Sequence, residues 1–182
     1  MRQETTTTNI YTFEELSDQD KQKALDKLHN LGVDYDWWEY TYEDANMVGL
    51  KITSFDLDHN ELTLGYLLSA EDTAQAILQD HGTMCETYKT VIAHQEDIKN
   101  LHHATAIEID KSEWWMDDEF VDDQIMVLEE DEEQAGDELL KALGEDYLVM
   151  LRKEYEYLTS EEAILESIEA NKYEFTEEGD IY

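Results

Sequence analysis

The chain has 182 residues, with 47 Asp and Glu against 12 Lys and Arg, and a formal net charge of -35. Naked nucleic acid and anionic membrane surfaces should repel such a chain, and no run of about 18 apolar residues is present to cross a bilayer. The single cysteine, Cys85, excludes an internal disulfide and points to a reducing, cytoplasmic setting.

Residues 1–9 read as a frayed polar arm without an apolar signal segment. Thr12-Phe13-Glu14-Glu15 then forms a capping box, with Tyr11 and Leu16 placed for a hydrophobic staple. Ser17 offers a second cap to a helix that buries Ala24, Leu25, Leu28 and Leu31 and closes at Gly32. Asp34 caps a second predicted helix running to Val48, followed by Gly49. Trp38, Thr41, Ala45 and Val48 share one of its faces; Asp36, Glu39 and Glu43 share another.

LKITSFDLD and ELTLGYLL predict a hairpin turning at Asp58-His59-Asn60. Ser69 caps a short helix ending near Gly82. Thr83-Met84-Cys85-Glu86 reads as another capping box, for a helix with Tyr88, Val91, Ile92, Gln95, Ile98 and Leu101 on one stripe. IEID at 107–110 and QIMVL at 124–128 read as strands. A long helix over about 131–157 buries Leu139, Leu140, Leu143, Tyr147, Leu151 and Tyr155. Thr159-Ser160-Glu161-Glu162 caps a last helix through Ile164, Leu165 and Ile168, and KYEFTEEGDIY closes the chain as strand and turn.

The expected fold is α+β, with about five or six helices, a small mainly antiparallel sheet and an acidic surface. It is read as one domain over 1–182. A possible subdivision separates a mixed α/β front, 10–103, from an acidic, mainly helical back, 104–182, with the break near 103–111.

No sequence motif for catalysis or metal binding is complete. The six histidines lack the spacing of a zinc site. Asp56-Leu57-Asp58-His59-Asn60 starts like a calcium loop, but Glu61 stands where glycine is needed and Leu67 where the bidentate carboxylate is needed. There is no phosphate-binding glycine loop and no nucleophile elbow. Cys85 near a helix start suits a stabilised thiolate or a small core residue. No enzyme activity, metal or cofactor is expected.

The acid is concentrated. Residues 108–138 hold 15 carboxylates and one base, Lys111. Within and beside this stretch, Trp114, Trp115, Asp117, Asp118, Glu119, Asp122, Asp123, Glu129, Glu130, Asp131, Glu132 and Glu133 form the first candidate for a partner-binding surface; Asp36, Glu39 and Glu43 form the second. Solubility of a small domain needs only about 2–8 net charges. The excess reads as a solvated face, as adaptation to high salt, or as a surface that takes the place of phosphates in a basic groove. The tryptophans suit core positions, or anchors beside a partner's arginine.

IYTFEELSDQDKQKALDKL, DYDWWEYTYEDANMVGLKITSFDLD and the closing ANKYEFTEEGDIY resemble a family of acidic proteins encoded by phages and mobile elements of gut bacteria. Length and acidity are similar to those of type II-A anti-CRISPR proteins, which inhibit Cas9. The resemblance covers roughly residues 10–65 and 160–182. It implies a stoichiometric inhibitor in a bacterial cytoplasm, binding Cas9 with its guide RNA and blocking target DNA binding or cleavage. Cas9 holds nucleic acid in basic channels and reads its PAM through arginines. The alternatives are an inhibitor of another DNA-binding defence enzyme, such as a restriction system, and a non-inhibitory acidic assembly module. No membrane and no direct nucleic-acid partner is expected.

Overall fold

The computed structural model describes residues 1–2, 7–94 and 118–182, the side chains of 118–133 excepted. The fold is α+β. Six α-helices and two two-stranded antiparallel sheets are found among the described residues. They pack as two compact units, one of Met1–Trp38 with Arg152–Tyr182 and one of Glu39–Leu151. The break expected at 103–111, the strand expected at 107–110 and the stripe residues Gln95, Ile98 and Leu101 lie outside the described residues.

In the first unit, β1 (Tyr11–Thr12) pairs with β4 (Glu174–Phe175), Tyr11 opposite Phe175. The Thr12 box forms: Thr12 N–H donates to Glu15 Oε2 at 2.9 Å, around a single 3-10 turn. Ser17 caps α1 (Asp18–Leu28) by accepting from the Asp20 N–H at 3.3 Å. Ala24, Leu25 and Leu28 from α1 meet Ile164 and Ile168 from α6 (Glu161–Asn171), together with Leu16 and Phe175. Ser160 caps α6 through the Ala163 N–H, and the chain leaves that helix through Lys172 in the left-handed region.

Two expected boundaries fail here. Helix α1 stops at Leu28, and Leu31 reaches the core from a separate 3-10 turn. Gly32 answers a close approach instead of closing the helix: a Cβ there would lie 2.6 Å from the Leu158 carbonyl oxygen. The second helix does not start at Asp34. Trp37 is buried in extended and turning chain, 5.8 Å between ring centroids from Tyr155, and that burial overrides the local cap signal.

In the second unit, α2 (Glu39–Met47) is followed by a turn through Gly49, whose φ is 85°. β2 (Leu50–Asp56) and β3 (Glu61–Tyr66) form the expected hairpin. Its register slips between Ile52 and Ser54, a bulge that resets the alternation. Leu50, Ile52 and Phe55 therefore face one side with their partners Tyr66, Leu64 and Leu62. Asp56 ties the turn, accepting from the Asp58 and His59 N–H groups at 2.9 Å each. Ser69 caps α3 (Ala70–Asp80) as expected.

Helix α4 begins at residue 86 and is described through 94. Thr83 therefore stands outside it and is not its cap. Thr87 and Val91 are buried on α4 while Ile92 is 48% exposed, so the expected apolar stripe is displaced. Helix α5 (Asp118–Leu158) is longer than expected. QIMVL at 124–128 is helical within it, not a strand: flanking acids and the 139–151 apolar period continue one helix through a short β-branched run. Leu139, Leu143 and Tyr147 are fully buried against Ala45, Val48, Leu50 and Ile77.

Three measurements follow from this fold. Gly49 has a positive φ and its missing Cβ would sit 2.6 Å from Leu68 Cδ1, whereas Gly144 lies inside α5, where a Cβ would come no closer than 3.8 Å to Leu62 Cδ2. Gly144→Ala should raise stability by about 0.5–1 kcal/mol and Gly49→Ala should lower it by more than about 1 kcal/mol, read by urea denaturation. The Tm should rise from about 20 to about 300 mM NaCl, because screening relieves like-charge repulsion; a flat or falling Tm would contradict this. His59 Nδ1 lies 2.8 Å from Asp56 Oδ2. The hydrogen bond to Asp56 raises the His59 pKa above 6.5, and the His59 backbone N–H lowers that of Asp56 below 3.8. The His59 contribution is therefore complete below pH about 6.5 and lost as pH rises through its raised pKa, while the Asp56 contribution is lost as pH falls through its lowered one. An NMR titration should place His59 above 6.5, and Asp56→Asn should bring it down.

Candidate functional site

The largest concentration of charge lies on α5. Over 118–133 the helix carries nine carboxylates and no base. Sixteen residues at 1.5 Å each span about 24 Å, or about one negative charge per 2.7 Å. One strand of B-DNA carries one per roughly 3.4 Å, and the duplex one per roughly 1.7 Å. At about 100° per residue, eight of the nine positions fall within about half the circumference, Asp131 being the exception. Asp118, Asp122, Glu129 and Glu133 lie within about 60° of one another and form a stripe. Phe120, Val121, Val127 and Leu128 fall in the other half, and Ile125 and Met126 in the acidic one.

Thus α5 brings Asp118, Glu119, Asp122, Asp123, Glu129, Glu130, Asp131, Glu132 and Glu133 onto one element. Trp114, Trp115 and Asp117 lie outside the described residues. The second cluster does not form one helical face. Glu39 and Glu43 are exposed on α2, but Asp36 is exposed in the chain before that helix. The reason is the same late helix start that buries Trp37.

Two arrangements in the second unit were not read from the sequence. The first is a buried polar network. Thr87, fully buried, lies 2.6 Å from His81 Nδ1 and 3.0 Å from Cys85 Sγ through its Oγ1. Tyr147 donates its hydroxyl to Asp44 Oδ2 at 3.0 Å. Burial, then the Asp44 charge, raises the Tyr147 pKa far above the usual phenol range, so this hydroxyl remains a donor. His81 Nε2 is buried 3.6 Å from Asp44 Oδ1, too far for a hydrogen bond. The order Thr–His–Asp is that of an acyl-transfer triad, but the Thr87 side chain has no accessible surface for a substrate. The network joins α2, α4 and α5 with His81, the residue that follows α3. Nearby, Thr90 donates to Asp146 Oδ2 at 2.6 Å, while burial raises the Asp146 pKa against that hydrogen bond.

The second arrangement is a groove of about 370 Å³ between β3 and α5. Leu62, Leu64, Leu140 and Leu148 supply its apolar walls, with Gly144 among them, and Asn60, Asp137, Lys141 and Glu145 surround it. Gly144 was visible in the sequence as a glycine inside an apolar-periodic helix. That β3 lies opposite it was not.

Among the described residues, no three His, Cys, Asp or Glu side chains converge as metal ligands. No helix among them is long and apolar enough to cross a membrane. No protein-family model, curated protein or solved structure matches this chain.

Proposed function

We propose that this protein is a stoichiometric, non-enzymatic inhibitor of a nucleic-acid-binding defence nuclease, and that its target is Cas9 with guide RNA in a bacterial cytoplasm. The observation that carries this reading is the acidic segment of α5. Nine carboxylates on one helix, without an intervening base, have a linear charge density between those of one DNA strand and of the duplex. Charges at that spacing suit a channel lined by Arg and Lys, and their docking releases counterions as phosphate docking does. The sequence resemblance given above supports the choice of effector. Cas9 offers two such surfaces, the PAM-reading arginines and the heteroduplex channel.

The test is a cleavage and gel-shift titration with the Cas9–guide complex. Reversing Asp118, Asp122, Glu129 and Glu133 to Lys changes one stripe of α5. Reversing Glu154, Glu156, Glu169 and Glu177 to Lys changes as much charge at exposed positions elsewhere. Close, desolvated charge pairs couple by about 1.5–7 kcal/mol and rim charges by little. The first variant should therefore lose at least about tenfold in potency, and the second much less, with circular dichroism confirming both folds. Affinity should fall steeply with salt, and PAM-containing DNA should compete. Equal potency of the two variants removes this surface. Inhibition insensitive to salt and to competing DNA removes the mimicry. A restriction enzyme inhibited in place of Cas9 would keep the mechanism and change the target.

A further inference from the structure

Gly144 lies in the α5 wall of the groove between β3 and α5. Glycine costs helix stability relative to alanine, and nothing in the packing demands it here. Gly144 has no positive φ, and an added Cβ would make only ordinary contacts, 3.8 Å to Leu62 Cδ2 and 4.0 Å to Leu64 Cδ2. Both of those side chains belong to the groove. A methyl there would cover part of that apolar wall, where Leu62, Leu64 and Leu140 are only half-buried.

The surroundings say what fits. Asp137 and Glu145 stand at the groove against a single base, Lys141. Asp137 follows Glu133, the end of the acidic run, by four residues, about one helical turn or 6 Å. A chain lying along the run would reach the groove without a break. We propose that the groove receives one apolar side chain from an Arg/Lys-rich segment of the partner, the flanking cations pairing with Asp137, Glu145 and the acids of α5. This rests on the reading of the protein as a binder of a basic partner, and it adds an anchor that a phosphate backbone does not offer.

The test uses full-length protein with labelled leucine methyls and two synthetic pentapeptides, at about 150 mM salt. One has two arginines on either side of a central leucine; the other has serine at the centre. The leucine peptide should shift the methyls of Leu62, Leu64, Leu140 and Leu148 and bind roughly tenfold more tightly than the serine peptide, the difference expected for burying one leucine side chain. Its affinity should fall in the order wild type, Gly144→Ala, Gly144→Leu, while that of the serine peptide stays constant. Should Gly144→Leu fail to fold, Gly144→Ala decides alone. Equal affinity for the two peptides overturns the proposal, as does a leucine preference indifferent to residue 144. No effector is present in this assay, so the groove can fail while the acidic stripe still inhibits Cas9, and the converse is equally visible.

Discussion

Like-charge repulsion is the constraint that every part of this protein has to meet. At -35 over 182 residues, compaction brings carboxylates together with few cations to separate them. One local solution recurs. Acids occupy the first turns of α1, α2, α3 and α6, where unpaired N–H groups and the helix dipole favour negative charge. Ser17, Ser69 and Ser160 stand at three of those helix starts as caps. The opposite ends are treated differently. Only α1, through Lys27, has a base in its last turn among these four helices. Acid is thus used locally where backbone can stabilise it.

The lysines of the first unit hold both near and distant partners. Lys27 binds the Glu178 carbonyl and the Asp180 carboxylate, fastening the closing turn to α1. Lys23 pairs with Asp20, and Lys21 lies 5.9 Å from the Phe13 ring centroid. These pairs are exposed, so each adds little by itself. The apolar cluster around Ala24, Ile168 and Phe175 carries the packing, and the lysines keep neighbouring acids from opposing it. Along α5 the distribution is reversed. From 118 to 146 there are 13 carboxylates and one base, Lys141. The helix tolerates this because its later turns are bound by burial: Leu139, Leu143, Tyr147 and Leu151 are fully covered. Hydrophobic packing holds the element, and charge is free to accumulate on its earlier turns.

What could be read in the sequence was what depends on near neighbours. The caps at Ser17 and Ser69, the box at Thr12, the hairpin at 50–66 and the apolar period from Leu139 to Leu151 all involve residues near one another in the chain, and the box at 159–162 marked the start of α6 one residue before its cap, Ser160. The failures involve distant partners. Trp37 outranks the Asp34 cap because Tyr155 lies beside it, more than a hundred positions along the chain. Gly32 looked like a helix stop because the Leu158 carbonyl that crowds it was invisible. QIMVL at 124–128 has strand composition, but it sits inside a helix that continues on both sides. For the candidate surface, composition located the acidic run, whereas only the helical state of 118–133 turns it into a charge spacing. The same limit applies to Asp36, which composition grouped with Glu39 and Glu43 and which the late start of α2 separates from them. The Asp44–Tyr147 hydrogen bond and the groove opposite Gly144 had no sequence signal beyond single residues out of place.

Charge alone would make a poor inhibitor, and on the proposed function this gives the apolar groove beside the acids of α5 a purpose. A helix of carboxylates is attracted to every basic surface in a cell, and every nucleic acid there competes with it on equal electrostatic terms. Electrostatic complementarity speeds encounter and orients it, but affinity and selectivity come mainly from a few desolvated anchors. Phosphates have no such anchor. If the groove takes a side chain of the partner as proposed, a groove one helical turn beyond the acidic run, lined by a glycine that the helix does not need, would give the protein a contact that DNA cannot copy. On this reading salt and competing DNA act on the approach, while the occupant of the groove decides which basic protein is retained.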